Sequence, residues 1–304
     1  MAANPDGAVN DASRGTSVLL NAIVVLRSFS MSEPELGVSE IARRVGLHKS
    51  TVSRILSTLR AANLVERDAE TRRFRLGLGV IALAGPLLAD LNVRRISYPL
   101  LRDLSERTGE TSALMLWNGT ETVCVEQVGS RHFVKHTTPL GTRYNEAVSA
   151  SVQVFLAMEG AERVRTLLGG GFVSHRLLDD ADIERYLSTL RQVITTGYAV
   201  NYGETSLEEV GVSAPVSDHR GTITAAVLIS APRFRVSEGQ LSVLGEACVD
   251  TARQITSRLG GTALPRETAQ RTNTGRGGWT QPRRLGEQSA FLSPATGTSS
   301  RVQN

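Results

Sequence analysis

The sequence predicts an α+β protein in two parts: a small helical block closed by a short hairpin, then a larger block of strands framed by helices. Three observations carry this. Apolar residues recur at helical spacing through the first 60 residues, two short segments flank a polar turn at 68–72, and beyond residue 92 helical and alternating periods succeed each other.

In the front block, Ser17 to Leu76, Leu19, Ile23, Leu26 and Phe29 mark a first helix. Ser32, Glu33 and Pro34 interrupt it. A second helix is expected from about Ser39 to Val45. Ser39 is its expected N-cap, although Ala42 three positions on leaves the capping box incomplete. Gly46 ends it, as a residue free to turn left-handed should. A third helix starts near Lys49 with Val52, Ile55, Leu56 and Leu59 on one face. Leu64–Arg67 and Arg73–Leu76 then flank the turn Asp68–Arg72, which reads as a β-wing.

The third helix divides its labour. Its apolar positions face inward, which leaves Ser50, Thr51, Ser53, Arg54 and Ser57 outward, near its N-terminal end. Hydroxyl residues are mediocre helix formers, and an ordinary surface helix would display Glu and Lys there. Short hydroxyls with one Arg suit a major groove, where Arg bonds guanine and Ser or Thr bonds bases or phosphate. The free amides of a helix start also favour phosphate. The block is therefore read as a winged helix-turn-helix that binds double-stranded DNA. Arg43, His48, Lys49, Ser50, Thr51, Ser53 and Arg54 are its candidate contacts, with wing residues Arg72 and Arg73 at the backbone or minor groove.

Residues 77–92 read as a connecting helix, followed by a body at 93–260. A helix at 93–108 leads to strands Thr111–Trp117 and Glu121–Gln127, joined by the hairpin turn Asn118-Gly119. A strand is expected near Phe133–Thr138. Helices at about 147–158, 161–168 and 180–195, strands at 198–202, 209–217 and 222–230, and a helix at 237–259 complete an α+β sensor-type domain with a central antiparallel sheet.

Charge distribution agrees with this division. Residues 14–75 carry eleven Lys/Arg against six Asp/Glu, whereas 76–260 carry 17 against 20. A basic front on a mildly acidic body fits a DNA-binding module attached to something else. The small, polar segment 1–13 and the basic tail 261–304 are expected to be disordered, since neither can bury enough apolar surface to offset its ordering entropy. No stretch approaches the roughly 18 apolar residues of a membrane helix. Nothing in 1–14 resembles a signal peptide, so a soluble cytoplasmic protein is expected. Cys124 and Cys248 stand far apart with no CxxC pair, and read as small buried hydrophobes.

The run SEIARRVGLHKSTVSRILSTLRAANLVERDAETRRFRLGLGV resembles the DNA-binding domain of the IclR family of bacterial transcriptional regulators. Further on, GYAVNYGETSLEEVGVSAPVSDHRGTITAAVLIS resembles the effector-domain signature of the same family. The resemblance spans Ser17 to Leu259. It implies a GAF-like effector domain, a small organic effector, a homodimer or homotetramer, and palindromic operator DNA. Carried over by position, it places the effector at Tyr144, Ala150, Ser151, Asn201, Gly211, Leu228 and Ser230. Several polar anchors of the family pattern are replaced here: a His by Ala147, a Gly-Lys pair by Val152-Gln153, a Cys or Ser by Gly211, an acid by Asn201 and a Ser by Leu228. A larger or more apolar ligand than a short organic acid, or none, is therefore expected.

Other motifs lead nowhere. Gly77-Leu78-Gly79-Val80-Ile81-Ala82 fits GxGxxA, but no acidic residue follows about 20 positions later on a strand. His132 and His136 would chelate on a helix, yet their segment reads as a strand, where four residues span about 13 Å. No nucleophile or metalloprotease motif is present, so no catalytic residue, metal or cofactor is expected. The alternative is a metabolite-binding or enzymatic module with an ancillary nucleic-acid arm.

Overall fold

Why the front block folds is clearest in its small core. The computed structural model describes residues 18–30, 32–90, 92–176 and 179–262. Both segments expected to be disordered lie outside these residues, save 261 and 262. Helix α1 spans 18–27, and Val25 with Phe29 just beyond it face inward. Of the stripe legible in the sequence, Phe29 is buried and Leu26 packs against this core, whereas Leu19 and Ile23 stay exposed together with Val18, Leu20 and Val24. The helix is apolar on two sides, and periodicity does not tell which side meets this core.

Helix α2 (Val38–Val45) has its N-cap two residues earlier than its hydroxyl suggested. Gly37 is the N-cap and Ser39 lies inside the first turn. Glu40 supplies the missing half of a capping box, accepting from the Gly37 amide at 2.7 Å. Gly46 closes α2 at φ 69. Helix α3 (Lys49–Ala61) buries Val52, Ile55, Leu56 and Leu59. Strands β1 (Val65–Arg67) and β2 (Phe74–Leu76) form the wing, and Leu36 pairs with Phe74 as a further bridge. All four α3 residues join Val25, Phe29, Ile41, Val65 and Phe74 in one cluster.

Helix α4 (Gly79–Asp90) follows the wing. A side-chain carbon at Gly77 would stand 2.3 Å from the Asn63 carbonyl oxygen, and one at Gly79 2.6 Å from it. The amides of Gly77 and Gly79 bond back to Leu64 and Asn63. The apparent GxGxxA motif is thus two glycines that let the chain press against the end of α3.

In the larger block a six-stranded antiparallel sheet is ordered β5-β4-β3-β8-β7-β6. Its strands are β3 (Thr111–Trp117), β4 (Thr122–Val128), β5 (Arg143–Tyr144), β6 (Ala199–Tyr202), β7 (Glu209–Ser217) and β8 (Ile223–Pro232). Helices α5 (Asn92–Thr108) and α9 (Leu241–Arg258) pack one face, burying Leu101, Leu104, Val212, Val227 and Ile255. Helices α6 (Ala150–Met158), α7 (Ala161–Gly169) and α8 (Asp180–Thr196) pack the other over Met115, Ala226 and Leu228. Strands β3, β7 and β8 are thus buried along most of both faces, as a sheet covered on both sides requires.

One expected strand is absent. Residues 133–138 run as bends and coil, because the ladder position beside β4 is taken by 141–144: the Cys124 amide bonds Thr142, and the Gly141 amide bonds Cys124. Side chains satisfy the backbone of 133–138 instead. Thr111 Oγ1 donates to the His136 carbonyl at 2.6 Å, Arg235 Nη1 to Val134 at 3.0 Å, and the Thr138 amide to Gln127 Oε1 at 2.5 Å.

Candidate nucleic-acid interface and effector site

The N-terminal end of α3 is built against the habit of an isolated helix. Its first turn has no acidic residue and carries Lys49, a charge that the helix dipole disfavours there. His48 is the N-cap, without a side-chain capping bond. The first-turn amides and Lys49 together make a strongly anion-seeking end. His48, Lys49, Ser50, Ser53 and Arg54 are exposed and Thr51 half-buried. Arg43 of α2 is exposed as well, and lines a shallow surface hollow with Ser39, Leu47, His48, Lys49 and Ser50.

Ion pairs sort the cations of this block. Arg44 pairs with Glu33 at 2.5 Å, Arg75 with Glu66 at 3.0 Å and Arg73 with Glu40 at 2.7 Å. Among the described residues, Arg43, Lys49, Arg54 and Arg72 take part in no ion pair. Arg72 sits exposed at the wing tip at φ 60, beyond a turn in which Asp68 Oδ1 accepts from the amides of Glu70 and Thr71. Those bonds, Thr71 foremost, hold the Asp68 carboxyl below its ordinary pKa. Arg73, expected beside Arg72 as a DNA contact, is turned away: its guanidinium bonds Glu40 and the Glu35 carbonyl. Glu40 was not foreseen in that role; a Gly-x-x-Glu run ahead of the helix is the signal that could have found it. Its carboxyl is held below the usual glutamate value by the Gly37 amide and then by Arg73.

The sheet gathers most of the expected effector residues on the α6 face. Register places Asn201 opposite Gly211, and Gly211 opposite Ser230. A methyl group at Gly211 would touch Ala150, Asn201 and Leu228 at 3.6–3.7 Å. Ser230 Oγ lies 3.1 Å from Thr138 Oγ1, and the Thr138 side chain also stands beside the Tyr144 phenol. Burial above all pushes the Tyr144 phenol up to about 12. Ser151 stands aside from this group, bonded to Thr122 at 2.9 Å.

The surroundings are more polar than the substitutions suggested. Glu209, nearly buried, approaches His136 Nε2 at 3.3 Å and accepts from Thr205 Oγ1 at 3.5 Å; Thr205 in turn meets the Asn201 amide group. His136, Thr138, Thr205 and Glu209 were not among the expected residues. His136 is set apart from His132, which lies against Gly109. An acid opening an otherwise apolar strand, as Glu209 does, is the signal that could have marked this end of the sheet.

Comparison with known proteins places both regions. Residues 86–257 match the family model of the bacterial transcriptional regulator IclR C-terminal domain, and residues 18–69 that of the IclR helix-turn-helix domain. The HTH-type transcriptional repressor AllR of Escherichia coli (strain K12) is 29% identical over 255 residues, 84% of this chain and 94% of AllR. A solved domain of an IclR-family transcriptional regulator is 59% identical, covering 56% of this chain and 98% of that one, with a TM-score of 0.55. An IclR homolog from Microbacterium hydrocarbonoxydans, solved with 4-hydroxybenzoate, is 22% identical over 80% of this chain and 98% of its own, with a TM-score of 0.66, and so shares the fold.

Proposed function

Because the chain belongs to the IclR family of bacterial transcriptional regulators, we propose that it is a sequence-specific repressor of a metabolic operon, controlled by a small organic effector and acting by binding rather than catalysis. The observation that carries this is the N-terminal end of α3, where Lys49, Ser50, Ser53 and Arg54 are exposed with no acidic neighbour in the first turn. Ser50, Thr51, Ser53 and Arg54 read bases in the major groove. Arg43, His48 and Lys49 fix the register on phosphates, and Arg72 reaches the flanking backbone or minor groove.

Two copies act together, in the cytoplasm, on a palindromic operator. Large apolar side chains support this: Leu19 and Leu20 of α1, Leu78 just before α4, and Ile81 and Leu83 of α4 are all more than half exposed. A second copy covering them would remove that surface from water and set two recognition helices on successive half-sites. Selection of bound sequences from a random duplex library tests the reading: it is expected to enrich an inverted repeat, and recovery of unrelated sequences would contradict it.

The effector binds where Ala150, Asn201, Gly211, Leu228 and Ser230 converge, beside Tyr144 and the uncapped start of α6 with Ser151. Without the usual short-acid anchors, the ligand is larger than pyruvate. Saturable calorimetric binding of pyruvate would contradict that.

A further inference from the structure

A single carboxylate sets Arg73 of the wing apart from its neighbour Arg72. Glu40 Oε2 accepts both the Gly37 amide and Arg73 Nη2, each at 2.7 Å. The same guanidinium reaches the Glu35 carbonyl through Nε at 3.3 Å and Nη2 at 3.1 Å. Beneath it, Leu36 and Phe74 exchange backbone hydrogen bonds at 2.9 and 2.8 Å. Arg73 therefore folds back over the segment that leads into α2, and ties the wing to the helix-turn-helix. Arg72 points to solvent with no ion pair among the described residues.

We propose that Glu40 is a positioning residue for DNA recognition, which withholds Arg73 from phosphate and fixes the wing relative to α3. The idea rests on the DNA-binding reading above. Non-specific affinity follows the number of phosphates neutralised, whereas sequence is read by base contacts. A cation held by an internal carboxylate adds nothing to the first and leaves the second intact, so the ratio of specific to non-specific binding rises. Both partners are only partly buried, with side chains 39% and 37% exposed. A pair so exposed is weak enough for nearby phosphate to compete once the carboxylate charge is lost.

The test is the salt dependence of binding to a random-sequence duplex, read by fluorescence anisotropy on the full chain. Glu40→Gln keeps an oxygen for the Gly37 amide, so the helix start survives while the charge partner is lost. Its log–log salt slope is expected to steepen by about 0.9, one phosphate's worth. Arg73→Ala alone should leave the slope unchanged, and the double variant should lose the gain. An unmoved slope in Glu40→Gln overturns the proposal. So does a slope flattened by Arg73→Ala, since Arg73 would then already sit on phosphate. A gain that survives in the double variant would mean repulsion by the carboxylate alone, and also overturns it. Failure of the wild type to bind the duplex would instead defeat the DNA-binding reading and this proposal with it.

Discussion

The two functional regions of this chain hold their polar groups in opposite ways. At the start of α3 they stand exposed on a helix whose other face is core: Arg54 lies in solvent beside buried Ile55 and Leu56. In the larger domain Asn201, Ser230, Ser151 and Glu209 are buried, and each bonds a nearby threonine hydroxyl. The difference teaches what each region can tolerate. A surface site loses binding when a side chain is removed and keeps its stability, whereas a buried site loses stability first.

The sharpest contrast lies within α3 itself. Leu56→Ala empties a fully buried position and is expected to lower unfolding stability by about 2–5 kcal/mol, measured by urea denaturation. An effect under about 1 kcal/mol would mean that the helix does not pack as described. In the buried site, Gly211→Val would add two methyl groups beyond the one that already touches Ala150, Asn201 and Leu228. A loss of about 1–3 kcal/mol is expected by the same assay. Ser53→Ala, on the exposed face, should stay within about 0.5 kcal/mol, and a larger loss would erase the distinction.

A smaller effect concerns pH. Tyr144 keeps its proton to about 12 when folded, against an ordinary value of 10.0. Between those values the unfolded chain releases this proton and the folded chain holds it, so stability falls as pH rises through the window. Alkaline melting curves of the wild type should therefore drop more steeply than those of Tyr144→Phe. Parallel curves would show that the phenol is not shielded.

Legibility follows the same divide. The α3 stripe, the wing and β3 could be read from local period, because one amphipathic element states its own burial. The ion pair of Arg73 could not, since it depends on a partner 33 positions earlier in the chain. Residues 133–138 alternate like a strand, yet the edge beside β4 is claimed by 141–144, a competition invisible in either segment. His136 and Glu209 lie far apart in sequence and meet only through that loop's path over the sheet. The cap of α2 falls at Gly37 and not at Ser39, the better N-cap by local preference, because Glu40 reaches back to the Gly37 amide.

Arg54→Ala tests the central claim most directly, by anisotropy titration against the sequence recovered by selection and against a random duplex. Affinity for the selected sequence should fall by about 1–3 kcal/mol, with relaxed preference at the contacted base and an unchanged melting temperature. Equal affinities for wild type and variant on the selected sequence would contradict the assignment of α3 as the reading helix.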